Sequence, residues 1–123
     1  MQKQNSKFKT DLSKRCYTLS LAVIKLVDTL PQKRSAWVIQ DQVIRSTTSI
    51  GANLVEGKAS SSRLEFKKFH EIALKSANET KYWLCLLRDT KLVSAEEVAS
   101  LLQEVEEISK MLASGVMRLK GKK

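Results

Sequence analysis

Few residue types in this sequence are suited to catalysis or to metal binding. The single histidine is His70, and no cysteine, aspartate or glutamate stands at ligand spacing from it. The sequence has no Glu-x-x-His pair, as a carboxylate-bridged metal bundle would need, and no glycine-rich phosphate loop. Neither Cys16 nor Cys85 has a histidine partner that the sequence suggests, and the serine-rich segment 57–62 has no base near it. We therefore expect no catalytic residue, no metal, no cofactor and no enzymatic activity.

A set of polar residues follows one side of the segment QVIRSTTSIGANLVEG, residues 42–57. At about 100° per residue, these side chains share one arc of a helix. Arg45 and Glu56 are too far apart for a direct pair, but residues between them can form a ladder of hydrogen bonds. A later, antiparallel helix can supply the other side of the ladder through Glu79, with Ser76 as a further candidate. The predicted polar ladder therefore comprises Arg45, Ser49, Asn53, Glu56 and Glu79. Because buried polar atoms need partners, such a ladder fixes the register between helices or between subunits, and the sequence leaves both open.

The surplus of positive charge is concentrated near the two ends of the chain. The formal net charge is +9, and residues 16–115 contain 13 basic and 12 acidic side chains. Residues 1–15 and 116–123 therefore carry almost all of the excess. Charge of this kind attracts RNA or DNA phosphates, although lysine-rich ends also serve only to keep proteins soluble. The predicted nucleic-acid-binding residues are Lys3, Lys7, Lys9, Lys14, Arg15, Arg118, Lys120, Lys122 and Lys123.

A second possible nucleic-acid surface combines aromatic and basic residues. Tyr82 and Trp83 lie near Lys81 and Arg88 and would stack on bases if they were exposed. Aromatic residues at helical spacing more often belong to a core or an interface. We therefore do not assign base recognition to this segment.

Four amphipathic segments must position these residues. Leu12, Cys16, Leu19, Val23, Leu26 and Leu30 form the apolar seam of a first helix, which begins near Asp11 and ends before Pro31. The second helix is predicted from about Ala36 to Glu56, with Ser35 as its cap. A capping box at 62–65 predicts the start of the third helix, which reaches about Thr90. A second capping box at 94–97 predicts the start of the fourth helix, which is expected to fray near residues 115–120. Short connections predict an all-α, antiparallel, up-down-up-down four-helix bundle.

Two glycines in the second helix suggest different local roles. Gly51 lies in mid-helix, where glycine costs roughly 1 kcal/mol relative to alanine, so we expect another helix to approach closely there. Gly57 suits the left-handed position that follows many helices.

Length and composition limit the class of protein. The 123 residues suffice for one bundle domain, with basic segments at 1–10 and 116–123. No apolar run is long enough to span a membrane, and the first residues do not resemble a signal peptide. The two cysteines are expected as free core thiols in a reducing cytoplasm.

Specific motifs resemble a known family. The segments SIGANLVEG and SSRLEFKKFHEIALKSANETKYWL are similar to four-helix-bundle proteins first noticed in intervening sequences of bacterial 23S ribosomal RNA genes. Gly51 occupies a position where many members have proline, and Val55 replaces an alanine of the Ala-Glu-Gly ending. The resemblance covers nearly the whole chain.

The resemblance implies a cytoplasmic bundle that assembles into a ring, typically a homopentamer, without known catalytic residues. A related branch is the accessory variability determinant of diversity-generating retroelements, whose basic surface engages a reverse transcriptase and its template RNA. We therefore expect a non-enzymatic, oligomeric nucleic-acid-binding accessory protein. The alternative is a protein-interaction scaffold that does not bind nucleic acid, and a membrane-surface role is a weaker third.

Overall fold

Four helices with short connections make up the computed structural model, which describes residues 11–121. Helix α1 spans Leu12–Val27, α2 spans Arg34–Lys58, α3 spans Arg63–Asp89 and α4 spans Ala95–Gly121. Each helix contacts the next one along the chain, and α1 also contacts α4, which closes the bundle. The predicted antiparallel four-helix bundle is confirmed. Within the described residues, no helix is both long enough and apolar enough to cross a lipid bilayer.

The predicted apolar seams form the core. In α1, Cys16, Leu19 and Val23 are almost completely buried, as the heptad spacing indicated. Leu84 and Leu87 of α3 pack into the same cluster. Helix α4 contributes Val98, Val105, Ile108 and Leu112, all of which are inaccessible to solvent. The seams therefore hold the helices side by side and set which polar residues face outward.

The helix starts follow the sequence signals closely, with two differences. The carboxylate of Asp11 accepts a hydrogen bond from the Lys14 backbone N–H at 3.1 Å and caps α1. The hydroxyl of Ser62 likewise accepts from the backbone N–H of Glu65, but the Glu65 carboxylate accepts from the N–H of Ser61 rather than returning to the cap residue. The expectation that Ser35 caps α2 is wrong, because the helix already begins at Arg34.

The ends of α2 and α4 also differ from the sequence prediction. Gly57 is buried inside α2 and does not have a positive φ, because the helix continues to Lys58. A Cβ at Gly57 would lie 3.3 Å from the Cβ of Phe69, so this glycine permits close packing rather than a turn. Helix α4 does not fray near Gly115 but continues to Gly121, so Arg118 and Lys120 are helical.

The close approach predicted at Gly51 is confirmed. A Cβ at this position would lie 3.2 Å from the Cβ of Cys16 on α1, which is tighter than ordinary packing. Cys16 is fully buried, Cys85 is partly buried, and both thiols are free. Burial raises the pKa of the Cys16 thiol to about 12, so this group remains protonated at neutral pH.

Candidate functional site

The predicted polar ladder lies between α2 and α3 of the same chain. The Ser49 and Ser76 hydroxyl oxygens are 2.8 Å apart, and the Asn53 side-chain amide donates to the Ser49 hydroxyl at 3.0 Å. One turn further along, the Thr80 hydroxyl donates to the buried Ser46 hydroxyl at 2.9 Å. These bonds set the register of the two helices within one chain, and a further contact of the ladder with another subunit stays a prediction.

The charged members of the ladder lie at its rim. Arg45 forms an ion pair with Glu79 and also donates two hydrogen bonds to the side chain of Gln42. The indole N–H of Trp83 donates to Glu79 at 2.8 Å. Glu56 is exposed, and its carboxylate has no hydrogen bond or ion pair with any residue between 11 and 121, so the ladder does not extend to it. The ladder is therefore a structural contact that ends in an exposed ion pair.

Arg15, a predicted nucleic-acid-binding residue, forms ion pairs with two acidic residues of α4. Its guanidinium donates to both carboxylate oxygens of Glu104, at 2.9 and 2.8 Å, and to Glu107 at 2.6 Å. The hydrogen bonds that Arg15 donates to Glu104 and, to a lesser extent, to Glu107 raise the pKa of Arg15, and the bond to Glu107 lowers the pKa of that carboxyl group. This arrangement joins the first and last helices and favours a structural role for Arg15 over the predicted phosphate contact.

The structure brings basic side chains from all four helices to one end of the bundle. Because the four helices alternate in direction, this end contains the start of α1, the end of α2, the start of α3 and the end of α4. We call this surface the basic end. Apart from Arg15, which pairs with Glu104 and Glu107, its basic residues are Lys14, Lys58, Arg63, Lys67, Lys68, Arg118 and Lys120, and its acidic residues are Asp11, Glu56 and Glu65. The excess of four positive charges equals the whole net charge of residues 11–121.

About half of the basic residues at this end are not among those predicted from the sequence. Lys58, Arg63, Lys67 and Lys68 lie in the middle of the sequence, near the connection between α2 and α3, where the local excess of basic residues was the available signal. The predicted residues Lys3, Lys7, Lys9, Lys122 and Lys123 lie outside the described residues. They are attached by the chain to Asp11 and Gly121, which both belong to this end.

A cleft between α3 and α4 opens at the basic end. It has a volume of about 220 Å³ and is lined by Arg63, Phe66, His70, Gly115, Arg118 and Leu119. The His70 Nδ1 lies 3.1 Å from the backbone carbonyl oxygen of Phe66, and the two rings are 4.3 Å apart. A Cβ at Gly115 would lie 4.0 Å from both the His70 ring and an Arg118 guanidinium nitrogen. We call this the His70 cleft.

An apolar groove lies between α1 and α2, away from the His70 cleft. Its volume is about 410 Å³, and its lining includes Tyr17, Leu21, Ile24 and Val55. These four side chains are between 38% and 68% exposed, which is unusual for a cluster of large apolar residues on a monomer. Helices α1 and α2 therefore both present exposed apolar side chains to the same groove.

The aromatic-basic segment is mostly committed to intramolecular contacts. Trp83 packs against the core and donates to Glu79, while Tyr82 is exposed and meets it edge to face at 5.0 Å. Lys81 pairs with Glu106, and Arg88 pairs with Asp89. Within residues 11–121, no group of three or more histidine, cysteine or acidic side chains is arranged to hold a metal ion.

Comparisons with known proteins identify similar chains. Residues 9–114 match a family model described as 23S rRNA-intervening sequence protein. The fold is similar to a crystal structure of a protein with unknown function from the S23 ribosomal protein family of Bacteroides thetaiotaomicron VPI-5482. The two chains are 35% identical, the match covers 85% of this chain and 97% of that chain, and the TM-score is 0.80. A search of curated protein sequences finds no match.

Proposed function

Because this chain belongs to the family of 23S rRNA-intervening sequence proteins, with which it shares residues 9–114, we propose that it is a non-enzymatic accessory protein that binds nucleic acid through the basic end. The observation that supports this function is the gathering of unpaired basic residues from three helices on one surface. No carboxylate of residues 11–121 pairs with Lys58, Arg63 or Arg118, whereas Arg15, Arg45, Lys81 and Arg88 all have such partners.

The expected mode of binding is electrostatic. Lysines and arginines that neutralise phosphates release condensed counterions, so affinity falls steeply with salt and depends weakly on base sequence. The five predicted terminal lysines lie outside the described residues, and phosphate binding by them stays a prediction. RNA is the nucleic acid that we propose, since the matching family is described as 23S rRNA-intervening sequence protein.

Removal of charge from one end tests the proposal. The variant Lys58→Gln/Lys67→Gln/Lys68→Gln should bind structured RNA more weakly in fluorescence anisotropy, and the slope of log affinity against log salt should decrease in magnitude by up to about 2. The matched control Lys25→Gln/Lys33→Gln/Arg34→Gln removes the same charge from the opposite end, where all three residues are exposed. Equal losses in both variants, or no loss in either, would contradict binding at the basic end.

Self-assembly is part of the proposed function. The exposed apolar groove between α1 and α2 fits a contact with another copy of the chain, in a homo-oligomer that we propose is a pentamer. Five copies would bring several basic ends into one field. Sedimentation velocity should show assemblies for the wild type and monomers for Leu21→Glu, and a monomeric wild type would refute this part.

The second candidate function is a scaffold that binds proteins and not nucleic acid, and the same apolar groove favours it. If the protein is such a scaffold, Leu21→Glu abolishes assembly, and the wild type does not bind RNA even at low salt. A reverse transcriptase is a proposed protein partner for the branch associated with retroelements. An adjacent reverse-transcriptase gene would favour that branch, and a flanking ribosomal RNA gene would favour the other.

A further inference from the structure

The His70 cleft contains positive charge that the bundle itself does not use. Arg63 and Arg118 line the same small cleft, and neither has a carboxylate partner among residues 11–121. Arg63 is also the first residue of α3, where the positive end of the helix dipole disfavours a cation. Two guanidinium groups beside a helix N-terminus repel one another, and an anion between them would remove that repulsion.

The remaining walls of the cleft would hold the group attached to such an anion. Phe66 and Leu119 provide apolar surface, and the His70 ring stands next to Phe66. With Nδ1 near the Phe66 carbonyl oxygen, the other ring nitrogen of His70 has no hydrogen-bond partner within the described residues. The cleft therefore offers charge for a phosphate, a free polar atom and an apolar wall for a sugar or base.

The space in the cleft depends on a glycine. Gly115 lies in the interior of α4, where glycine costs roughly 1 kcal/mol relative to alanine, and no positive φ requires it. A methyl group at this position would make ordinary contacts of 4.0 Å with His70 and Arg118, so packing does not exclude alanine. A larger side chain would project between the histidine and the arginine and fill the cleft.

We propose that the His70 cleft is a subsite for one phosphate of a polynucleotide, with Arg63 and Arg118 binding the phosphate and Phe66 and His70 contacting the attached nucleoside. The subsite rests on the proposed nucleic-acid function but is more specific than a diffuse basic surface. A diffuse surface depends only on charge, whereas this subsite also depends on the open space above Gly115.

The single histidine of the chain supplies a direct probe. The imidazole C–H signals of His70 in the NMR spectrum are followed while inorganic phosphate and then uridine 5′-monophosphate are added at constant pH and ionic strength. Both ligands should shift the signals, and the nucleotide should bind more tightly than phosphate. The Arg63→Gln/Arg118→Gln variant should lose the shifts, whereas the matched control Lys33→Gln/Arg34→Gln should retain them. Signals that do not respond to either ligand at millimolar concentration would overturn the subsite.

A steric variant separates the subsite from general electrostatics. Gly115→Leu leaves every charge in place but fills the cleft, and it should weaken the binding of a structured RNA at least threefold. Gly115→Ala should retain binding and raise the melting temperature, which controls for folding. Wild-type affinity in Gly115→Leu, together with a loss in the lysine variant of the basic end, would refute the subsite and leave the proposed function standing. If neither variant changes RNA affinity, the proposed function fails as well.

Oligoribonucleotides distinguish an internal phosphate from a terminal one. A 5′-phosphorylated strand that binds the wild type at least threefold more tightly than its 5′-hydroxyl counterpart, with the difference lost in Gly115→Leu, assigns the cleft to strand ends. Equal affinities that both decrease in Gly115→Leu assign it to an internal phosphate. Equal affinities that do not change in Gly115→Leu contradict the subsite.

Discussion

Replacement of Arg15 by methionine separates a structural role from a nucleic-acid-binding role for this residue. The Arg15 side chain is 24% exposed, and its guanidinium donates three hydrogen bonds to the carboxylates of Glu104 and Glu107. An exposed ion pair contributes ~0.2–1 kcal/mol, and loss of one partner from a fully buried pair costs ~3–5 kcal/mol. The bidentate contact with Glu104 is only partly buried, so its contribution should lie just above the range for exposed pairs. We therefore expect the unfolding free energy to fall by about 1–1.5 kcal/mol. The methionine stem keeps part of the apolar contact of arginine.

Thermal denaturation measured by circular dichroism checks this estimate. For a domain of this size, a loss of 1–1.5 kcal/mol corresponds to a melting temperature lower by about 3–6 °C. RNA affinity should remain within twofold of the wild type, because this guanidinium is already neutralised by carboxylates. The control is Arg118→Met, an exposed substitution that should leave the melting temperature almost unchanged and weaken RNA binding. The reverse result for Arg15→Met, with unchanged stability and weaker RNA binding, would refute the structural role.

The effect of Arg15→Met on stability should depend on pH. The hydrogen bond from Arg15 lowers the pKa of Glu107 below its ordinary value of about 4.5. A carboxyl group whose folded pKa is lowered contributes stability above its unfolded pKa, and the contribution is lost as pH falls through the folded value. The stability difference between the wild type and Arg15→Met should therefore be complete at pH 7 and shrink below about pH 4.5. A difference that stays constant down to pH 2 would contradict the ion pair.

Three further substitutions test other contacts. Gly51→Leu should destabilise the bundle by at least about 2 kcal/mol in urea denaturation, since even a Cβ at this position approaches Cys16 within 3.2 Å, and a loss below 0.5 kcal/mol would show that α1 can move aside. Thr47→Val should raise the unfolding free energy by up to about 1 kcal/mol, because the buried Thr47 hydroxyl has no hydrogen-bond partner within residues 11–121. A lower unfolding free energy would contradict this and show that the hydroxyl is hydrogen-bonded in the protein. Asn53→Ala should lower the melting temperature by a few degrees through loss of the two hydrogen bonds to Ser49, and unchanged stability and assembly would remove the ladder as a structural device.

Local patterns in the sequence predicted the helices and part of their packing. Heptad spacing identified the buried face of α1, and hydroxyl–carboxylate spacing identified the start of α3, because both features depend on residues within a few turns. Glu79 and Ser76 were also predicted to supply the α3 side of the ladder, since antiparallel helices joined by a short connection face each other. The structure shows which residues they contact: Glu79 pairs with Arg45, and Ser76 with Ser49. Gly57 was misread because a glycine near a helix end serves equally well as a turn residue or as a packing residue.

Contacts between distant parts of the chain were not predictable in the same way. Arg15 and Glu104 are 89 residues apart, and only the closure of α1 against α4 brings them together. The His70 cleft requires side chains from α3 and α4 whose relative rotation no local pattern defines. The basic end likewise depends on four helix termini meeting at one surface, so lysines near the middle of the sequence were not grouped with those near its ends.

Lysine footprinting on the assembled protein tests the central claim most directly. Brief acetylation with and without structured RNA, followed by mass spectrometry, reports which amino groups the RNA covers. Protection should be strong at Lys58, Lys68 and Lys120 and absent at Lys25, Lys33 and Lys91, all of which are exposed in the free chain. Equal protection at both ends of the bundle, or no protection at any lysine in low salt, would contradict nucleic-acid binding by the basic end.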